Sequence, residues 1–292
     1  MFCALNGATR TPSRANHRHR PATRTLLPAS DVVPATSTAP VTAAPLHRRP
    51  RAAIILVMVD TPATAVLLHS PFLGPASLAP LADALAALGR PVLPLDVRVT
   101  VNAAPVHQRI IGVLTDAVED SGVTGDLVLV GHSGAGPLLP AFAEALEEAP
   151  VTGLVYLDSD LPTPGRSWRD TAPAELFSAL KAASRAGLLQ RWDRWFGPDE
   201  IAGLVSDPDL LAEITAEAPE VPLAFLKEPH PTIEWTGPQA LLRLSPAYDE
   251  ACAQAAALGW PVRELDLHHL AAATDPEPVA LALADLLDRL GR

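Results

Sequence analysis

The ten residues Leu127 to Gly136 run from a continuous apolar segment, Leu-Val-Leu-Val, into Gly-His-Ser-Gly-Ala-Gly, a turn of small residues with one serine at its apex. A helix-like segment, Pro137 to Glu148, follows at once. A strand that turns sharply into a helix exposes the serine hydroxyl and sets backbone N–H groups beside it, as a nucleophilic serine requires. The pattern departs from G-x-S-x-G at one place. Gly131 and Ser133 fit, while Ala135 stands where the second glycine is expected. Alanine is the smallest replacement, and Gly134 and Gly136 flank it, so a tight elbow is still sterically open. A dinucleotide-binding turn, with Asp158 as the ribose acid, is the competing chemistry. That fingerprint needs glycines at its first, third and sixth positions, and here Ser133 occupies the third. The serine reading prevails over it, and a tight packing turn without chemistry is the bland alternative.

The elements around this turn follow from short apolar runs alternating with helix-like patterns, which predicts a parallel sheet of βαβ units. Ala65–Leu68, Val92–Leu95, Leu127–Val130 and Val151–Leu157 read as strands, and Asp96 and Asp158 close the second and fourth. Leu78–Leu88, stopped by Gly89, and Ala104–Asp120 read as helices. Residues 160–237 carry no convincing strand, many prolines and short amphipathic helices at Ala174–Ala183, Gly187–Trp195 and Pro208–Ala216. Trp168, Phe177, Trp192, Trp195, Phe196, Phe225 and Trp235 all lie there, in a chain that is only 4% aromatic. They can form the core of a small helical subdomain, line an apolar pocket, or both. Strand signals return at Ala240–Leu244 and Val262–Leu267, and a last helix covers Pro276–Leu290.

At 292 residues the chain is long enough for one large domain or a domain with an insertion. Residues 1–57 hold eight arginines and a single acid, Asp31, yet the chain as a whole carries a net charge of −11. The body is therefore strongly acidic, which argues against nucleic acid or an anionic membrane as the main partner. The Arg-, Pro- and Thr-rich segment lacks periodicity and reads as disordered, as a targeting peptide, or as a spurious extension from a mis-assigned start. The chain's only methionines are Met1 and Met58, and the compact domain is expected from residue 58 onward. Two cysteines, Cys3 and Cys252, make no disulfide framework. The apolar run Ala52–Val59 is too short to span a bilayer.

Ser133 after one strand, an acid after the next, a helical insertion and a histidine after the last strand together resemble the α/β-hydrolase fold. The resemblance covers about residues 64–290. It is similar in detail to small actinobacterial-type α/β-hydrolases, with His69-Ser70-Pro71 after the first strand and Gly-His-Ser-Gly-Ala-Gly at the elbow. It implies Ser133 as nucleophile and the Gly134 N–H as one oxyanion donor. It implies His269, followed by Leu270, as the base, with His268 as the alternative. For the acid, the family most often uses the loop after the penultimate strand, where Asp249 lies. The run Val151 to Asp158 is instead similar to the acid-bearing strand of haloalkane dehalogenases, so Asp158 is preferred, Asp249 is the alternative, and Asp160 is a weaker neighbour. The second oxyanion donor falls to Phe72, because Pro71 has no N–H. His69 and His132 are expected to pack or brace the structure.

The fold class expected is α/β: a mostly parallel sheet flanked by helices, with an inserted helical cap over about residues 160–237. The function expected is a cytoplasmic serine hydrolase that cleaves an ester or related acyl bond by a Ser-His-Asp triad. Its partner is a small apolar substrate contacted by Trp192 and Trp195. Neither a cofactor nor a metal is implied, since no cluster has zinc-ligand spacing, and oligomeric state is left open. Two alternatives stand: a catalytically silent α/β-hydrolase that binds a small apolar ligand, and lyase, thioesterase or C–C hydrolase chemistry on the same fold.

Overall fold

The computed structural model describes residues 62–290, apart from Glu148 and Pro198 and the side chain of Val99. The expectations for residues 1–57 and for a domain start at residue 58 lie outside the described residues. Six strands form one sheet: β1 (Thr64–Leu68), β2 (Val92–Leu95), β3 (Leu127–His132), β4 (Val151–Leu157), β5 (Gln239–Arg243) and β6 (Val262–Glu264). Their order is β2-β1-β3-β4-β5-β6, and every pairing is parallel. A parallel sheet covered on both faces is dry on both, and its inner strands therefore read as unbroken apolar runs rather than alternating ones.

The period of two still assigns each side chain to one layer. Val66, Leu129, Tyr156 and Leu241 face α2 (Val106–Ser121), α3 (Leu139–Ala145) and α8 (Asp249–Ala257). Leu67, Val130, Leu157 and Leu242 face α1 (Ala79–Ala87) and α10 (Pro276–Leu290). The register pairs Leu68 with Gly131, His132 with Leu157, and Leu157 with Leu242. The carboxyl ends of β3 and β4 thus emerge side by side at the middle of the sheet, and open α/β sheets hold their ligands outside the carboxyl ends of their strands. The expected last strand is cut short. Beyond Glu264 the chain no longer runs as a strand, although the Leu265 and Leu267 N–H groups still donate to the carbonyls of Arg243 and Leu244.

Between β4 and β5 lie four helices, α4 (Trp168–Thr171), α5 (Ala174–Ala183), α6 (Glu200–Leu204) and α7 (Pro208–Glu217), with no strand of the sheet. The helix expected at Gly187–Trp195 is not formed, and only Trp192–Arg194 makes a single 3-10 turn. Ala186 and Gly187 both take left-handed backbone angles, which closes a tight turn between Arg185 and Leu188. The following backbone is then engaged by Leu189 N–H donating to the Val221 carbonyl and Leu223 N–H to that of Gly187. α9 (Ala271–Thr274) is a further short helix just before α10.

Two carboxylates of the inserted segment hold it to the sheet-and-helix body. Glu228 accepts from the first N–H groups of α2, those of Val106 and His107, at 2.8 and 2.9 Å. Glu217 accepts from Ala76 N–H at 2.7 Å and pairs with Arg98 at 3.3 Å. α2 has no cap from its own N-cap residue, Pro105, so the Glu228 carboxylate supplies both the hydrogen bonds and the favourable charge at that helix end. Replacing Glu228 with alanine is expected to cost about 1–2 kcal/mol, as losing a helix cap does. Urea denaturation checks this, and an unchanged midpoint would show that the contact contributes nothing.

Candidate active site

At the end of β3 the backbone of Ser133 adopts φ +55°, a left-handed conformation unusual for a residue with a Cβ. The elbow exists because the chain folds back on itself at two glycines. A Cβ on Gly131 would come within 2.9 Å of the Gly136 Cα, and one on Gly136 would overlap Ser159 Oγ. The close approach therefore falls on Gly131 and Gly136. Ala135 is simply buried, which accounts for alanine at the motif's second glycine position. Ser159 locks the turn by donating from Oγ to the Ser133 carbonyl at 2.6 Å. The segment after the serine opens as a 3-10 helix, Ser133–Leu138, before α3 begins, so the helix starts two residues later than the sequence pattern predicts.

His269 reaches the serine from the loop between β6 and α9. Its Nε2 lies 3.0 Å from Ser133 Oγ, and its Nδ1 donates to Asp158 Oδ2 at 2.7 Å. That donation leaves the Nε2 lone pair facing the hydroxyl. Asp158 stands directly after β4, also left-handed at φ +42° and fully buried. Its Oδ1 accepts from the N–H groups of Leu244 and Ser245, both at 2.8 Å, and its Oδ2 also accepts from Ser245 Oγ at 2.7 Å. Burial pushes the Asp158 carboxyl upward, but the bonds from His269, Ser245 and the Leu244 backbone outweigh it and hold the group below the usual carboxylate range.

The alternative residues sit elsewhere. Asp249 opens α8, 61% exposed, with its carboxylate 3.0 Å from Arg243 Nε; a first-turn position already favours a carboxylate there. His268 turns toward Thr274, with Nε2 3.2 Å from that hydroxyl, and burial lowers its pKa. His132 stacks on His269, ring centroids 4.7 Å apart, and its Nε2 donates to the His269 carbonyl at 3.1 Å. Burial drives its pKa down to about 3, so it stays neutral. His69 is buried and donates from Nδ1 to the Ser70 carbonyl at 2.8 Å, while its Nε2 lies 3.2 Å from the Val97 N–H. It braces the loop after β1.

Across the elbow, the Pro71 ring and the Phe72 ring lie 3.4 and 3.6 Å from where a Gly134 Cβ would project. The two expected oxyanion donors, Gly134 and Phe72, thus border the same space. The Phe72 N–H has only a long contact to Ser70 Oγ, 3.4 Å, and so is weakly engaged.

Ser133, Gly134, Phe72 and His269 open onto a cavity of ≈ 880 Å³ that Trp192 and Trp195 also line. Trp192 is buried and its ring lies 5.9 Å from that of His269; Trp195 meets Phe72 edge-on at 4.9 Å. Three contributors escape the sequence reading. Tyr248 stacks on His269 at 5.5 Å and sets its hydroxyl 3.4 Å from Ser133 Oγ, and Ser159 and Ser245 fix the elbow and the carboxylate. Tyr248 had one signal, its place beside Asp249 in the loop after β5. Nothing distinguished the two serines. Asp160 lines the cavity, and burial first, then the nearby Glu250 and Asp158 charges, raise its pKa to about 6. Among the described residues no group of three or more His, Cys, Asp or Glu is placed to hold a metal ion.

This fold is shared with known structures. An extracellular α/β-hydrolase from a Paenibacillus species matches with TM-score 0.62 and 21% identity, over 77% of this chain and 99% of that one. A pyrethroid hydrolase from Sphingobium faniae JZ-2 matches with TM-score 0.58 and 19% identity, over 77% and 97%. Tomato methylketone synthase I matches with TM-score 0.58 and 14% identity, over 78% and 99%. No protein-family model and no curated sequence matches the chain. The chain has the α/β-hydrolase fold, a mostly parallel sheet flanked by helices.

The raised Asp160 carboxyl has a stability consequence. Its proton is held more tightly in the folded chain than in the unfolded one, whose value is near 3.8, so its contribution is favourable at low pH and is lost as pH rises through about 6. Asp160→Asn is therefore expected to raise the melting temperature more at pH 8 than at pH 4. Calorimetry at both pH values checks this; equal changes would place the carboxyl in an ordinary environment.

Proposed function

We propose that this chain is a serine hydrolase acting on an ester or related acyl bond, with Ser133 as nucleophile, His269 as base and Asp158 as the orienting acid. One observation carries the reading: the unbroken chain of hydrogen bonds from Asp158 through His269 to a serine held in a left-handed elbow. The esterase and hydrolase names of neighbours such as polyneuridine aldehyde esterase and the pyrethroid hydrolase support it at the level of the fold.

The mechanism follows from the geometry. As Ser133 Oγ bonds to the acyl carbon, its proton passes to His269 Nε2, 3.0 Å away. The imidazolium so formed is stabilised by Asp158, whose carboxylate is already ionised and fully hydrogen-bonded. The carbonyl oxygen gains negative charge beside the N–H groups of Gly134 and Phe72. Gly134 adds the field at the start of a helical segment, and Phe72 must give up only its long contact to Ser70. Collapse expels the alcohol, which takes the proton from Nε2. Water then attacks the acyl-serine with His269 again as base, releasing the acid and regenerating Ser133. Tyr248, stacked on the imidazole and near Oγ, holds both in place. The helical segment between β4 and β5 acts as a cap, and the aromatic walls at Phe72, Trp192, Trp195 and Phe225 favour an apolar substrate.

Ser133→Ala is expected to abolish labelling by a fluorophosphonate probe and to lower kcat on p-nitrophenyl esters by about 10³-fold or more. Undiminished labelling in that variant would refute the assignment. Asp158→Asn should lower kcat by about 10⁴-fold, as loss of a triad carboxylate does. Asp249→Asn, which alters an ion pair with Arg243 and no contact of His269, should leave kcat within about twofold. The reverse ranking would move the acid to Asp249.

A further inference from the structure

The cavity wall contains two buried histidines that the proposed hydrolysis does not use. His107, in the first turn of α2, and His230, in the inserted segment after Glu228, are 6% and 9% exposed, and both line the cavity. Their rings lie 5.9 Å apart. His107 packs edge-on against Phe225 at 5.0 Å, and Phe225 against Phe72 at 5.2 Å, so the pair lies two ring contacts beyond the residue that borders the elbow.

The hydrogen bonds fix a different tautomer on each ring. His107 Nδ1 lies 3.2 Å from the Pro229 carbonyl, which can only accept, so that nitrogen carries the proton and Nε2 presents a lone pair. His230 Nδ1 receives the Thr163 backbone N–H at 3.3 Å, which can only donate, and the Thr163 hydroxyl at 2.8 Å. That nitrogen is therefore unprotonated, and Nε2 carries the N–H. Both rings are neutral at pH 7. Burial depresses His107 despite Glu228, whose carboxylate is 3.9 Å from Nδ1; burial and the His107 charge bring His230 down to about 4. No protein atom among the described residues satisfies either Nε2, so the cavity wall carries one acceptor and one donor on rings 5.9 Å apart, with Phe225 against His107 and Thr163 against His230.

We propose that His107 and His230 form a recognition site for an alcohol hydroxyl on the substrate, the hydroxyl donating to His107 Nε2 and accepting from His230 Nε2–H. A hydroxyl supplies both functions from one atom, whereas an alkyl terminus would leave two buried polar groups unpaired. A site of this kind discriminates strongly against the analogue that lacks the group. The proposal rests on the esterase reading for the part of the substrate that reaches Ser133, and it narrows the substrate to an apolar ester with a hydroxyl remote from the scissile bond.

The test uses Ser133→Ala protein, which binds an ester without consuming it. Isothermal titration compares medium-chain methyl esters, graded one carbon at a time, each ending either in a methyl or in a hydroxyl group. At the chain length that spans the cavity, the hydroxy ester is expected to bind about tenfold or more tightly than its alkyl counterpart. His107→Phe and His230→Phe, each added to Ser133→Ala and checked for fold by circular dichroism, are expected to remove that preference. Tighter binding of the alkyl ester at every length overturns the proposal without recourse to any further variant, as does a preference that survives both substitutions. Fluorophosphonate labelling of the wild-type protein is read separately. An unlabelled Ser133 alongside an intact hydroxyl preference would overturn the esterase reading and leave the recognition site standing.

Discussion

The left-handed backbone at Ser133 is held by the approach of Gly131 to Gly136 and by the Ser159 hydroxyl on the Ser133 carbonyl, and the rest of the site is arranged around that constraint. A residue with a Cβ in this conformation is strained by an amount of order 1 kcal/mol, and it persists only where surrounding packing over-determines it. Here the over-determination is plain. Gly131 lies in β3, paired with Leu68 on one side and Tyr156 on the other, so the strand cannot shift to relieve the turn. Gly136 cannot move away because Ser159, fixed after β4, presses on the other side. The sheet's parallel register thus sets the direction of one hydroxyl.

The same register determines which carboxylate the histidine finds. Asp158 follows β4 just as Ser133 follows β3, and those two strands are neighbours. An ion buried this deeply is tolerated only when its acceptor sites are filled, and four donors fill them: the His269 ring, the Ser245 hydroxyl and two backbone N–H groups of the turn after β5. That turn belongs to the loop for which the family resemblance offered Asp249 as the alternative acid. In this chain it supplies donors to an acid on the next strand instead, while its own Asp249 faces solvent and pairs with Arg243.

The inserted segment gains its position from charge and its character from aromatic rings. Glu217 fastens it to the Ala76 N–H, in a 3-10 turn (Pro75–Ser77) before α1, and Glu228 to the first N–H groups of α2. In the same segment, Trp195 and Phe225 pack edge-on against Phe72, and Trp192 lies against the imidazole of His269. Sparse elsewhere, aromatic side chains are concentrated in the walls of the cavity beside Ser133 and His269, where each supplies a large apolar contact area.

The sequence by itself determined the strands that are buried on both faces, because a doubly covered parallel strand must be a continuous apolar run, and it determined the elbow, because only small residues tolerate that turn. The helices Ala174–Ala183 and Pro276–Leu290 were equally legible from local periodicity and caps. Local pattern failed where non-local bonds won. Gly187–Trp195 has helical spacing but is drawn into pairing with residues 221–223, and Val262–Leu267 loses strand form after three residues at the sheet's edge. The preference for Asp158 over Asp249 and for His269 over His268 came from the family resemblance, since local periodicity separates neither pair. Each depends on which side chain reaches a partner more than a hundred residues away once β3, β4 and β5 lie side by side. Ser159, Ser245 and the His107–His230 pair were invisible, and Tyr248 had only its place beside Asp249, for the same reason: a serine, a tyrosine or a histidine acquires its meaning from the atoms packed against it, and tertiary structure alone brings those atoms together.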